Sequence, residues 1–171
     1  MSKYTVSDYI KLIKKGPLPD DFDLWECHLE NGWRLAHHAA YHGKLSDNFD
    51  RWWLCSSHGY SVAGVLLINH EPPADFKDWN IPEPYEGTVA HVAARFGTLP
   101  KGFNKWSITG DAEYAVAHVA AEFGNLPEDF DQWHLFSILH QCTVRDIYEM
   151  RAAGTAGYLQ HIFHNKGVRN G

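Results

Sequence analysis

Five tryptophans recur at a constant spacing of 27 residues, at Trp25, Trp52, Trp79, Trp106 and Trp133, each preceded three residues earlier by a phenylalanine, at Phe22, Phe49, Phe76, Phe103 and Phe130. With only seven Trp in 171 residues, two registered columns of this kind mark a tandem unit. A unit so short cannot bury its apolar face alone, so stacking between copies has to supply the core. The spacing predicts one repeat domain over residues 1–171, with an N-terminal cap at 1–17, units at 18–142 and a C-terminal cap at 143–171.

One segment of each unit has helical periodicity: RLAHHAAYHG at 34–43, SVAGVLLINH at 61–70, TVAHVAARFG at 88–97 and AVAHVAAEFG at 115–124. Ala pairs at 39/40, 93/94 and 120/121 leave little bulk, which lets neighbouring helices approach closely. Gly43, Gly97 and Gly124 stand where a helix end takes a left-handed residue. Each helix is therefore expected to stop after roughly two and a half turns.

A second short amphipathic helix is predicted at 18–25, 45–52, 72–79, 99–106 and 126–133. Pro19, Pro100 and Pro127 suit a first helical position, the acidic residues that follow suit the positive end of a macrodipole, and Phe and Trp at i, i+3 share a face. Connectors of about seven residues follow each Trp, and their second residue is always apolar: Cys27, Leu54, Ile81, Ile108 and Leu135. At the ends, Val6, Tyr9, Ile10, Leu12 and Ile13 outline a capping helix closed by Gly16, TVRDIYEMRAAG echoes that cap, and a final helix is expected over 155–164. The fold class expected is all-α, a helical repeat solenoid of helix-turn-helix units with capping helices at both ends. A buried Trp removes on the order of 150–250 Å² from water, or roughly 4–6 kcal/mol gross at ~25 cal/mol/Å². Five in register form an aromatic spine.

Composition narrows the function. A formal charge of −6 and a pI near 6.0 argue against a phosphate-binding face, so no nucleic-acid partner is expected. The longest apolar run, around Val62 to Ile68, is too short to cross a bilayer, and no secretory segment is expected before the first unit. Cys27, Cys55 and Cys142 are an odd count without paired spacing, which favours a reduced, cytoplasmic setting.

The segments at 32–45, 87–100 and 115–127 resemble the ankyrin repeat, whose pattern is G-x-T-P-L-H-x-A-A-x-x-G-H-L. The unit here is 27 residues against the family's 33, the deletion falls in the second helix, and the Pro of the tetrapeptide is Leu35, Val62, Val89 or Val116. The resemblance implies that His37, His91 and His118 are structural, linking loop backbones, and that the unit with Gly64 in their place is looser or otherwise packed. It further implies that partners meet the loop tips and the residues after the Ala pair. In this chain those are Asn31, Trp33, Tyr41 and His42; His58, Tyr60, Ile68 and Asn69; Tyr85, Arg95 and Phe96; and Ala112, Tyr114, Glu122 and Phe123. The set is rich in aromatics, as protein-binding hot spots are, although the repeated Phe96 and Phe123 equally suit packing under the next unit.

Twelve His prompt a metal reading. His38 and His42 form an i, i+4 pair and His161 and His164 an i, i+3 pair, yet neither has a third ligand at an obvious spacing, so no metal is expected. Cys142 beside His140 lacks an arrangement that would activate a nucleophile, and no phosphate-cradling loop or serine elbow occurs. The expectation is a non-enzymatic, cofactor-free adaptor or inhibitor, monomeric or weakly oligomeric, that binds a protein. Two alternatives stand beside it: a His-rich metal binder or metal-dependent enzyme around His38 and His42, and an acidic nucleic-acid mimic. The mimic needs Asp20, Asp21, Asp23, Asp47, Asp50, Glu128, Asp129 and Asp131 in one stripe, which Lys77, Lys101 and Lys105 interrupt.

Overall fold

The computed structural model describes residues 5–15, 22, 24–84, 87–110, 113–138 and 140–154. In chain order these hold helix α1 (Val6–Lys15), a 3-10 turn (Leu24–Glu26), α2 (Leu35–Tyr41), α3 (Val62–Leu67), strands β1 (Pro82–Glu83) and β2 (Gly87–Thr88), α4 (Val89–Phe96), α5 (Val116–Phe123), β3 (Phe136–Ser137), β4 (Cys142–Thr143) and α6 (Val144–Ala152). The first helix of each unit thus forms where its periodicity places it. Gly97 and Gly124 close α4 and α5 with φ of 73° and 76°, the left-handed geometry that stops a helix without a Cβ clash.

The fold is mixed rather than all-α, and this corrects the expectation of a plain helix-turn-helix solenoid. Two antiparallel two-stranded sheets pair Pro82 with Thr88 and Phe136 with Thr143, and single bridges join His28 to Arg34, Cys55 to Ser61 and Thr109 to Ala115. Each connector is therefore a small hairpin leading straight into a helix. The predicted second helices at 45–52, 72–79, 99–106 and 126–133 are also absent. Each is instead a pair of successive turns.

In the first turn the amide of Phe49, Phe76, Phe103 or Phe130 donates to the carbonyl of Ser46, Pro73, Pro100 or Pro127, three residues back. In the second, Leu54, Ile81, Ile108 and Leu135 donate to Arg51, Asp78, Lys105 and Gln132 in the same way. Asp, Asn, Gly and Pro in these segments favour turns over a continuous helix. The segment 18–25 lies largely outside the described residues, and only the 3-10 turn at its end is seen. Residues 155–164, where a last helix was expected, also lie outside them.

This arrangement satisfies the open amides at each helix start, which otherwise lack partners. Val62, Val89, Val116 and Val144 donate to the apolar connector residues Leu54, Ile81, Ile108 and Leu135 at 2.9–3.0 Å. Ala63, Ala90 and Ala117 donate to the carbonyls of Trp52, Trp79 and Trp106 at 3.1–3.2 Å. The Trp column therefore caps backbone as well as filling core. Phe rings alternate with its indoles in one edge-to-face chain from Tyr9 through Phe22, Trp25, Phe49 and Trp52 to Phe130, Trp133 and Tyr148, with centroids 4.5–5.3 Å apart. Tyr9 of α1 and Tyr148 of α6 end the chain, so the caps join it. No helix among the described residues is long and apolar enough to cross a membrane.

Candidate functional site

Three buried imidazoles tie the units together at the helix starts. The amides of Arg34, Thr88 and Ala115 each donate to Nδ1 of the His three residues on, His37, His91 and His118, at 3.2 Å. An accepting Nδ1 places the ring proton on Nε2. That proton reaches the next unit: His37 Nε2 donates to the Tyr60 carbonyl at 2.9 Å and His91 Nε2 to the Tyr114 carbonyl at 2.7 Å. Burial lowers the pKa of all three rings, and takes His118 to about 4. His118 Nε2 closes no hydrogen bond among the described residues, although the backbone of Leu135 and Cys142 lies near. The last connector has one residue more between its Trp and the helix start than the others have.

Where Gly64 replaces the imidazole, Glu83 of β1 fills its volume. A Cβ at Gly64 would stand 2.5 Å from the Glu83 carboxylate. The carboxylate is 5% exposed and accepts from the Ser61 amide at 3.2 Å and from the Ser61 hydroxyl. Ser61 Oγ in turn accepts from the Gly64 amide at 3.0 Å. This unit is otherwise packed rather than empty. The register shows a swap of size: His37, His91 and His118 stand against Ser56, Gly110 and Ser137, while Gly64 stands against Glu83.

The helix ends carry a second set of ties that sequence reasoning missed. His70 Nε2 meets the Tyr41 carbonyl at 3.0 Å, Thr98 Oγ1 donates to Leu67 at 2.7 Å, and Asn125 Nδ2 donates to Ala94 and Arg95 at 2.9 and 3.0 Å. Each side chain caps the helix of the preceding unit. The available signal was a run of polar side chains at one place, or the next, in the 27-residue register.

The residues expected to meet a partner divide into four groups. Asn31, Tyr41, His58, Asn69 and Phe96 are exposed, Tyr41 at 46% and Phe96 at 45%. Trp33, His42, Tyr60, Ile68, Arg95 and Phe123 are half-buried; Trp33 and Tyr60 pack on the core, and the Arg95 guanidinium lies over the rings of Phe96 and Phe123 at 5.6 and 5.3 Å. Tyr114 and Glu122 are 3% and 9% exposed, so neither turns a side chain outward; Tyr114 stacks on His118 instead. Tyr85 and Ala112 lie outside the described residues. The structure adds Trp53, Phe136 and Ile138, exposed at 60%, 53% and 66%. A signal existed for Trp53, since the other units carry Glu26, Asn80, Ser107 and His134 in its place.

Compared with protein families, curated proteins and solved structures, the chain matches none. Its groups must therefore be weighed by their own chemistry. His38 and His42 meet edge-to-face with centroids 4.8 Å apart, but no group of three or more His, Cys, Asp or Glu among the described residues is placed to hold a metal. Burial raises the pKa of Cys142 and Cys55, with Asp146 and Glu83 adding to it, so neither thiol is activated. Ser137 Oγ and His140 Nδ1 are 3.1 Å apart, yet Ser137 is fully buried and cannot meet a substrate. Asp47, Asp50, Glu128, Asp129 and Asp131 are exposed on the turns, with Lys77, Lys101 and Lys105 exposed among the same turns; Asp20, Asp21 and Asp23 lie outside the described residues.

Proposed function

We propose that the chain is a non-enzymatic module that binds a protein partner through its hairpin tips and the exposed ends of its first helices, acting as an adaptor or inhibitor in the cytoplasm. The reading keeps the likeness to a shortened, divergent ankyrin array as a proposal about ancestry. What carries it is one observation: Tyr41, Trp53 and Phe96 are large aromatic side chains, 45–60% exposed, and Trp53 stands at a register place whose other occupants, Glu26, Asn80, Ser107 and His134, are exposed as well. Aromatics of this kind supply contact area at low entropic cost and dominate measured binding energies. A net charge of −6 favours a partner with a basic or neutral face over nucleic acid.

Affinity capture from the native host, followed by mass spectrometry, tests the reading. A protein partner held by the parent and lost with the Tyr41→Ala/Phe96→Ala pair supports it. Undiminished recovery by that pair, or by Trp53→Ala, moves the site off these surfaces. Since these side chains are exposed, each variant should keep the parent's melting behaviour, so a lost partner is not lost folding.

A further inference from the structure

The fully buried apolar residues fall into two groups that meet at α3. Val62, Val65 and Leu66 of α3 pack with Trp25, Leu35 and Phe49, whereas Ala63 and Leu67 of the same helix pack with Trp79, Val89 and Trp106. The helix is divided between two apolar bodies, and half-buried Trp52 touches both. At 6 residues α3 is also the shortest of the described α-helices, and Ile68 ends it in a right-handed conformation with φ −64° where α4 and α5 end on glycine. A short helix without a closing residue sits close to the nucleation limit.

The tie between units changes its chemistry at this same place. Elsewhere the buried group is an imidazole held neutral by burial; here it is the Glu83 carboxylate, held by the amide and hydroxyl of Ser61. The change of tie falls on the helix that the two groups of buried residues share, which places the seam between α3 and β1.

We propose that the chain is built as two cooperative blocks that part at α3, with Glu83 as the latch across the seam. The N-terminal block carries α2 and the C-terminal block carries α4 to α6. The ring contact of Trp52 with Phe76 at 5.3 Å and the Thr98 hydroxyl on the Leu67 carbonyl still bridge the seam, so parting is a bend and not a detachment. The bend changes the angle between the surface bearing Tyr41 and the surface bearing Phe96, which lets a partner select it. Only this use depends on the proposed binding role; the two-block behaviour stands without it.

Native-state hydrogen exchange by mass spectrometry, on the full chain across sub-denaturing urea, tests the proposal. The expected result is one urea dependence for α2, a second for α4 and α5, and exchange in residues 61–84 at least ~10-fold faster than in either. A single dependence shared by α2 through α6 overturns it. Gly64→His with Glu83→Gly installs the pairing seen at His91 and Gly110, and should bring the two dependences together. A folded double variant that keeps them apart overturns the latch. Glu83→Asp keeps the carboxyl group and shortens its reach, so it should speed exchange in 61–84 and leave α5 and α6 unchanged. Unaltered rates in 61–84 overturn the latch independently of whether the double variant folds.

Discussion

The junction between α4 and α5 and the junction between α3 and α4 follow the same backbone path but close it with opposite chemistry. At the first, His91 spans from the Thr88 amide to the Tyr114 carbonyl, and Gly110 lets the Gly87 backbone pass close beside it, where a Cβ would stand 2.7 Å from the Gly87 Cα. At the second, glycine occupies the imidazole's place and Glu83 reaches back from the following hairpin to the Ser61 amide. The open amide at the helix start sets the requirement, since it is buried and must be paired. Which residue answers it is free. One junction is closed from within its own helix and the other from its neighbour, so the two should fail differently.

The largest test of that contrast removes packing from the α4–α5 side. Trp106 is 6% exposed and lies between Phe103 and Phe130 in the ring chain. Trp106→Ala should cost ~3–5 kcal/mol by calorimetry, and Trp52→Ala, at a half-buried ring, distinctly less. Equal losses would mean that the ring chain does not stabilise according to burial.

Next comes the clasp itself. His91→Ala strands a buried amide and a buried carbonyl, each worth ~1–3 kcal/mol, whereas His118→Ala strands only the amide of Ala115 because His118 Nε2 is already unbonded among the described residues. The first variant should be the less stable of the two in urea denaturation. A reversed order would break the argument from hydrogen-bond pairing.

Acid should expose the same difference. The folded-state pKa of His37, His91 and His118 lies below the usual imidazole value of 6.5, chiefly through burial. Their contribution is therefore complete above pH 6.5 and is lost as pH falls toward the folded value, about 4 for His118. Denaturant midpoints should drop across that window, and His91→Asn should flatten the slope. The Asp146 carboxylate, lowered by its bonds to Thr143 at the start of α6, has the same sign, but its loss begins only below its usual value of 3.8.

A smaller effect belongs to Gly64→Ala, whose methyl meets the Glu83 carboxylate at 2.5 Å and should cost ~1–3 kcal/mol in thermal melts. Glu83→Ala should relieve that clash, so the pair should be non-additive. Additivity would mean that the carboxylate swings away at no cost.

The comparison also shows which parts of the fold were legible beforehand. Ala pairs, valines and a closing glycine identify α4 and α5 because a helix writes its period and its end into the same ten residues. The segment 99–106 was misread because Pro, acidic residues and Phe–Trp spacing describe two successive turns as well as one helical turn. Two-residue strands carry no period at all, so the hairpins at Pro82–Glu83 and Phe136–Ser137 were invisible. Glu83 was missed for a different reason. Its partner Ser61 lies 22 residues away, and only the register links a missing imidazole at Gly64 to an acid in the next connector. The surface was partly legible: Tyr41 and Phe96 emerge, but Tyr114 is buried and stacks on His118 four residues on.

The central claim is that a neutral, buried imidazole bridges successive units from the amide at one helix start to a carbonyl of the next hairpin. Nitrogen-15 NMR of the histidine rings at neutral pH reads this directly. The account predicts the Nε2–H tautomer for His37, His91 and His118, with Nδ1 unprotonated and scalar-coupled to the amides of Arg34, Thr88 and Ala115. Imidazolium signals, or Nδ1–H tautomers exchanging freely with water at these three positions, would contradict it.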